Sequence, residues 1–459
     1  MLYGTGRYTA GAGAALRAQL LPTKVFVGYL RLCVSSIYPP LISTPATKLT
    51  TMRKTLVIIA FALCCTLASA QANRPITTGT IETLESKILN ETRRVLVYVP
   101  GNALNDITGP KNYPVLYLLD GDAHFLSMVG MVQQFSRNTL CPEMIVVGIT
   151  NTDRTRDLTT SNIAGPIRMM GNAVAPTSGG SDKFLAFIEK ELMPYIESKY
   201  PVQPYKVFVG HSFGGLTVIN ALINHPHMFS AYLSIDPGMW WDNEKLLSQA
   251  QSVLRNRKFE GKSLYMSIAN TLLPGMDSAQ AMADTTMHSQ FFRSIMKLDG
   301  AFKVNPLNGL RYGSKFYTAD DHNTIPIISM HDGLRSIFSF YQFNLTAAEI
   351  AGFNAETLKR IDAHYESVSK LMGYPVKFPE MMANALAYRF MGEGRMAESE
   401  MLFALNIKNY PNSFNVYDSM GEFHEAQGNK QKAIELYRKA LSIREFPVTR
   451  ERLERLLNK

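Results

Sequence analysis

The stretch Gly210-His211-Ser212-Phe213-Gly214, followed by Gly215 and preceded by Tyr205-Lys206-Val207-Phe208-Val209, decides how the rest of the chain is read. The run ending at Val209 has the length and the β-branched and aromatic content of a buried strand. Leu216 to Ile223 has the apolar density of a helix packed on a sheet. Ser212 is therefore expected on a sharp strand-to-helix turn, a nucleophile elbow. Glycines at 210 and 214 suit such a turn, because a strained serine with strand and helix close by leaves no room for side chains two residues away. The helix start also offers backbone N–H groups to a developing oxyanion. A G-x-S-x-G string alone is common in glycine-rich loops; the strand before it and the helix after it give it meaning.

The chain's 459 residues, 46% of them hydrophobic, suffice for one large α/β domain and a smaller one. The formal charge of +9 invites a nucleic-acid partner, but residues 1–70 hold Arg7, Arg17, Lys24, Arg31, Lys48, Arg53 and Lys54 and no acidic residue. Without those seven, 40 of the 47 basic residues face 38 acidic ones, and no nucleic-acid partner is expected. Met52-Arg53-Lys54, the apolar Thr55 to Leu67 and Ala68-Ser69-Ala70 make the pattern of a secretory signal over residues 52–70. The apolar part falls short of the ~20 residues of a spanning helix, so the expectation is an exported mature chain, periplasmic or secreted, without stable membrane insertion. Residues 1–51 fit no targeting pattern and are expected to be an over-long translated start, disordered if made. Cys33, Cys64 and Cys65 leave with this segment, so Cys141 remains alone and its expected role is packing.

Strand-like runs occur at Arg94 to Val99, Pro114 to Leu119, Met144 to Ile149, Tyr205 to Val209, Ala231 to Ile235, Ser263 to Ile268 and Ser314 to Tyr317. Helical patterns separate many of them; Ser181 to Ile196 carries a candidate capping serine and apolar residues at helical spacing. Near-continuous apolar strands alternating with helices imply a mostly parallel, doubly wound α/β sheet over residues 71–345. Beyond that the chain turns helical, with a helical linker expected at 346–379. Over 380–459, Gly394 and Gly428, Phe403 and Tyr437, Leu402 and Leu436, and Leu386 and Met420 recur 34 residues apart. That period is the tetratricopeptide one, so two such repeats are expected; since two are too few to stand alone, either Leu358 to Leu371 packs on them as a further helix or the array docks on the larger domain. A protein partner bound through them is one reading; ordinary helical hairpins are the other.

A serine hydroxyl needs a general base, itself oriented by an acid. Asp320-Asp321-His322-Asn323-Thr324 follows the last strand-like run, which makes His322 the candidate base ahead of His225, His227, His288 and His331. Asp277 is the first carboxylate on the loop after Ile268 and the leading candidate acid; Asp284, Asp236 and a dyad without an acid are the alternatives. The oxyanion donors are expected to be the N–H of Phe213 and that of Asp122 or Ala123, on a turn that Gly121 brings close to the serine. Gly121, His211, Trp240 and Trp241 are candidate substrate contacts, the two tryptophans equally readable as core. The Asn151 to Asp157 loop offers either a guanidinium for an anionic substrate or an Arg156–Asp157 brace. No metal spacing and no phosphate loop is present, so no cofactor is expected.

Leu116-Tyr117-Leu118-Leu119-Asp120-Gly121, the Gly-His-Ser-Phe-Gly-Gly elbow and Asp321-His322-Asn323-Thr324-Ile325-Pro326 together resemble the esterase D type of α/β hydrolase over residues 75–345. Siderophore esterases, feruloyl-type esterases and S-formylglutathione hydrolases make up that group, and the helical tail is similar to tetratricopeptide extensions on exported relatives. The resemblance implies Ser212 as nucleophile, His322 as base, and a small-molecule carboxylic ester as substrate. Asn323-Thr324-Ile325 departs from the small residues that usually follow the histidine. An acyltransferase on the same fold, or an idle fold serving as a binding platform through its repeats, are the competing readings.

Overall fold

The computed structural model describes residues 77–101 and 111–458; the expected signal at 52–70 and the residues before it lie outside the described residues. Eight strands share one sheet: β1 (Thr80–Ser86), β2 (Glu91–Tyr98), β3 (Tyr113–Leu118), β4 (Ile145–Ile149), β5 (Val202–His211), β6 (Ala231–Ile235), β7 (Ser263–Ala269) and β8 (Arg311–Tyr317). Their spatial order is β1-β2-β4-β3-β5-β6-β7-β8. The first two pairings are antiparallel and all the others parallel. Every residue of β3, β4, β6 and β7 is buried, as strands covered on both faces must be. β1 escaped the reading of the sequence because Thr-Ile-Glu-Thr-Leu-Glu-Ser is a mostly polar run, paired only with β2 at the sheet edge.

Alternate residues of the strands feed two apolar clusters. Tyr117 and Phe208 face one side, with α2 (Ser181–Phe187, continued by a π-helical turn and Met193–Lys199), α3 (Phe213–Asn224), α4 (Trp241–Asn256) and α5 (Gln290–Lys303). Leu116, Leu118, Val207 and Val209 face the other, with α1 (Gly121–Arg137) and α6 (Ile325–Ile337). Ser181 is not the cap of α2: Gly180 holds that position, and the buried Ser181 Oγ instead accepts from Asn220 Nδ2 at 3.2 Å. The second cluster runs without a break into the helical end of the chain, taking in Ile361, Tyr365, Phe378, Phe390 and Leu402.

That end comprises α7 (Ala355–Met372), α8 (Glu380–Gly392), α9 (Met396–Asn409), α10 (Phe414–Ala426), α11 (Lys430–Ile443) and α12 (Pro447–Leu457). The bounds of α8 and α9, moved by 34 residues, are those of α10 and α11. The intervening turns carry Gly394 and Gly428 at φ of 75° and 77°, a backbone conformation that side chains disfavour. A Cβ on Gly421 would sit 2.7 Å from the Tyr437 ring, so small meets large across the second hairpin. α7 lies within 346–379, the stretch read as a helical linker, and its Ile361 and Val368 are core residues. Two hairpins bury too little by themselves, and Phe353, Tyr365 and Phe378 of the preceding stretch share their apolar cluster, the Phe353 ring centre 5.3 Å from that of Phe390.

Candidate active site

Ser212 stands between β5 and α3 at φ 61° and ψ −116°, a conformation costing about 1–3 kcal/mol that neighbours must hold in place. Its N–H donates to the Ile235 carbonyl at 2.9 Å, and its own carbonyl accepts from Gly238 at 3.0 Å and Leu216 at 2.9 Å. A Cβ on Gly210 would lie 2.4 Å from the Gly214 carbonyl, and one on Gly215 3.0 Å from that of Ile235. Gly214 is the looser position, its nearest neighbours 3.4 Å away, so the demand for glycine falls on 210 and 215.

His322 Nε2 lies 3.1 Å from Ser212 Oγ, and His322 Nδ1 lies 2.6 Å from Asp236 Oδ2. Asp236 is wholly buried, and its other oxygen accepts the Ala269 N–H at 2.8 Å. The carboxylate beside His322 thus belongs to Asp236, and the leading expectation, Asp277, is corrected. Asp277 caps Ser278–Ala283, accepting the Gln280 N–H at 2.7 Å while Gln280 Oε1 accepts its own N–H at 2.9 Å. Asp284 is likewise spent on Thr286 and Ser289. The physical reason is tether length. Asp236 directly follows β6, the neighbour of β5, whereas the loop beyond β7 carries Asp277 away to begin a helix.

The base loop is braced from several sides. Asp321 accepts the N–H groups of Asn323 and Thr324 at 2.8 and 3.0 Å, and Asn270 donates to the carbonyls of Asp320 and Thr318. His211 Nε2 donates to the carbonyl of His322 at 2.8 Å, and the two rings stand 4.6 Å apart. Burial, then the charges His322 and His124 would carry, drives the His211 imidazole down to about 3, so it stays neutral with its proton on Nε2. His211 therefore serves the base loop; the expectation made it a substrate contact. Phe291 stands edge-on to the His322 ring at 5.0 Å, a neighbour that nothing in the local sequence announces.

Among the expected oxyanion donors, the Ala123 N–H is already committed to the Asp120 carbonyl at 3.0 Å, which removes it from the set. Those of Phe213 and Asp122 have no protein acceptor among the described residues. A Cβ on Gly121 would collide with the Gly148 backbone at 2.5 Å, so only glycine brings this loop so near β4. Asp120, at φ 52°, is buried and gripped by Arg154 Nε at 2.7 Å and Nη2 at 3.0 Å, and by Asn151 Nδ2 at 2.7 Å. Burial would raise its carboxyl, but Arg154 and Asn151 hold it below the usual carboxylate range. Arg154 Nη2 also reaches the His211 carbonyl at 3.2 Å, tying this loop to the elbow. Arg156 braces Asp157 and Glu91, as the second reading of that loop expected. Trp240 and Trp241 are buried beneath Phe213, ring centres 6.0 and 5.1 Å away, so they are core and not pocket wall. Cys141 is buried and unpaired, its thiol pushed up to about 12 by burial. Among the described residues no cluster of His, Cys, Asp or Glu is arranged to hold a metal, and no helix is long and apolar enough to cross a membrane.

Comparison with known proteins agrees with this geometry. Residues 86–288 match the family model Esterase, described as "Putative esterase". The siderophore triacetylfusarinine C esterase of Aspergillus fumigatus is 24% identical over 263 residues, covering 52% of this chain and 85% of the relative. The ferri-bacillibactin esterase of Bacillus subtilis is 28% identical over 202 residues, covering 41% of this chain and 68% of the relative. An IroE-like serine hydrolase from Shewanella oneidensis superimposes with a TM-score of 0.60 at 29% identity, covering 72% of this chain and 98% of that one. The chain carries an esterase-type α/β-hydrolase domain and is a carboxylic-ester hydrolase.

Proposed function

We propose that the protein is an exported serine esterase that cleaves siderophore-type esters through an acyl-enzyme on Ser212. The single observation that carries the mechanism is the unbroken chain from Asp236 through His322 to Ser212 Oγ, with contacts of 2.6 and 3.1 Å. Asp236 holds the proton on His322 Nδ1, leaving Nε2 free to take the proton of Ser212 as its oxygen attacks the ester carbonyl. The N–H groups of Phe213 and Asp122 receive the oxyanion. His322 then returns the proton to the departing alcohol, and a water activated by the same base releases the acid and frees Ser212.

The substrate class rests on the names of the two relatives, both siderophore esterases. Export rests on the signal pattern at 52–70. The hairpins repeating at 34 residues favour tetratricopeptide-type repeats and a protein partner held by them. The test is labelling by a fluorophosphonate probe together with hydrolysis of triacetylfusarinine C, bacillibactin and a series of p-nitrophenyl esters. Wild type should label and turn over, and Ser212→Ala should do neither. Equal labelling of both proteins would move the nucleophile elsewhere. Turnover of p-nitrophenyl esters without either siderophore would reject the substrate class and leave the mechanism standing.

A further inference from the structure

At the far end of the sheet from Ser212, the first residues of β7 and β8, Ser263 and Arg311, are partners in register. Seven residues of strand span roughly 20 Å, so this corner is remote from His322. Arg311 Nη2 donates to Ser263 Oγ at 2.7 Å, and the guanidinium carbon sits 4.3 Å from the centre of the Phe340 ring. Its Nε is buried without an acceptor, and among the described residues no carboxylate pairs with it. Tyr205, 1% exposed, brings its hydroxyl beside Arg311 and Ser263 without closing a well-formed hydrogen bond to either. Arg311, Ser263, Tyr312, Ser336 and Ser339 line a cavity of about 150 Å³ here.

Arg311 is half-buried, with its Nε shut away from water and without an acceptor, and a guanidinium so placed is stabilised by a counter-charge that no carboxylate among the described residues supplies. The last turn of α6, at Ser336 and Ile337, borders the cavity and contributes roughly half a negative charge, less than the full unit on Arg311. The hydroxyls of Ser263, Ser336 and Ser339 can all donate, and Ser263 already accepts from Arg311, which leaves its proton free. A planar fork of N–H donors ringed by hydroxyls matches an anion with several oxygens. We propose that this corner binds a small tetrahedral oxyanion of the phosphate or sulfate class, gripped by Arg311 with Ser263, Ser336 and Ser339 as further donors.

The test is titration of the full chain with inorganic sulfate and, separately, phosphate, at ionic strength held constant with sodium chloride, reading Tm and the heat of binding. Wild type should show saturable binding at one site, weakened at least about tenfold in Arg311→Gln, since a hydrogen bond to a charged group contributes that much or more. Ser336→Ala/Ser339→Ala keeps the cation and should also bind more weakly, which preserves the test if Arg311→Gln does not fold. A wild-type response no greater than that of the matched chloride control would overturn the proposal. Equal binding by wild type and the serine double variant would overturn it too, as the mark of an anion held elsewhere on the surface.

Discussion

Asp236→Asn is the sharpest probe of the mechanism. The side chain is wholly buried, so the substituted amide must occupy the place of the carboxylate. Its oxygen can still accept the Ala269 N–H, now made to Asp236 Oδ1 at 2.8 Å, which turns the amide NH2 toward His322 Nδ1. A donor there forces the imidazole proton onto Nε2, the atom 3.1 Å from Ser212 Oγ, and Nε2 can no longer accept the serine proton. The same change in a serine-protease triad lowers kcat by about 10⁴, which at about 1.4 kcal/mol per decade is about 5.5 kcal/mol of transition-state stabilisation. Binding surfaces are untouched, so KM should move by no more than about threefold. Asp277→Asn, whose amide oxygen can still accept the Gln280 N–H and so keeps the helix cap, should leave kcat within about twofold and cost well under about 1 kcal/mol of stability. Steady-state hydrolysis of p-nitrophenyl acetate by both variants is the assay. Retention of more than about a tenth of kcat by Asp236→Asn, or an equal collapse in Asp277→Asn, would refute the assignment of the acid.

Acid should destabilise the fold partly through His211. Its pKa falls from 6.5 unfolded to about 3 folded, so the unfolded chain binds the proton first and stability is lost as pH drops from about 6.5 toward 3. Between pH 7 and 4.5 that loss is about 2–3 kcal/mol, and urea melts of His211→Gln should show a drop smaller by that amount; identical pH slopes would contradict it. In the helical end, Gly421→Val drives a branched side chain into Tyr437, whose ring a Cβ would already meet at 2.7 Å. The cost should be about 1–3 kcal/mol, seen as a lower Tm with unchanged turnover per folded molecule, and an unaltered Tm would deny that close packing.

Most of the sheet was legible because β3, β4, β6 and β7 are buried on both faces and must be apolar throughout, a pattern that survives in one dimension. β1 was not, since an edge strand needs only its backbone partner β2 and is free to be polar. The 34-residue spacing in the sequence is also the offset between the two hairpins of the helical end, as equivalent packing positions in a repeat would require. By itself the amino-acid order determined Ser212 as the elbow residue and the order of serine before histidine, since both are properties of contiguous segments. Only the tertiary structure decided which carboxylate meets His322, what Arg154 holds, and that Phe291 and His211 flank the base. Each of those pairs joins residues on different loops, and whether two side chains come within about 3 Å depends on strand order and loop course, which no local pattern encodes.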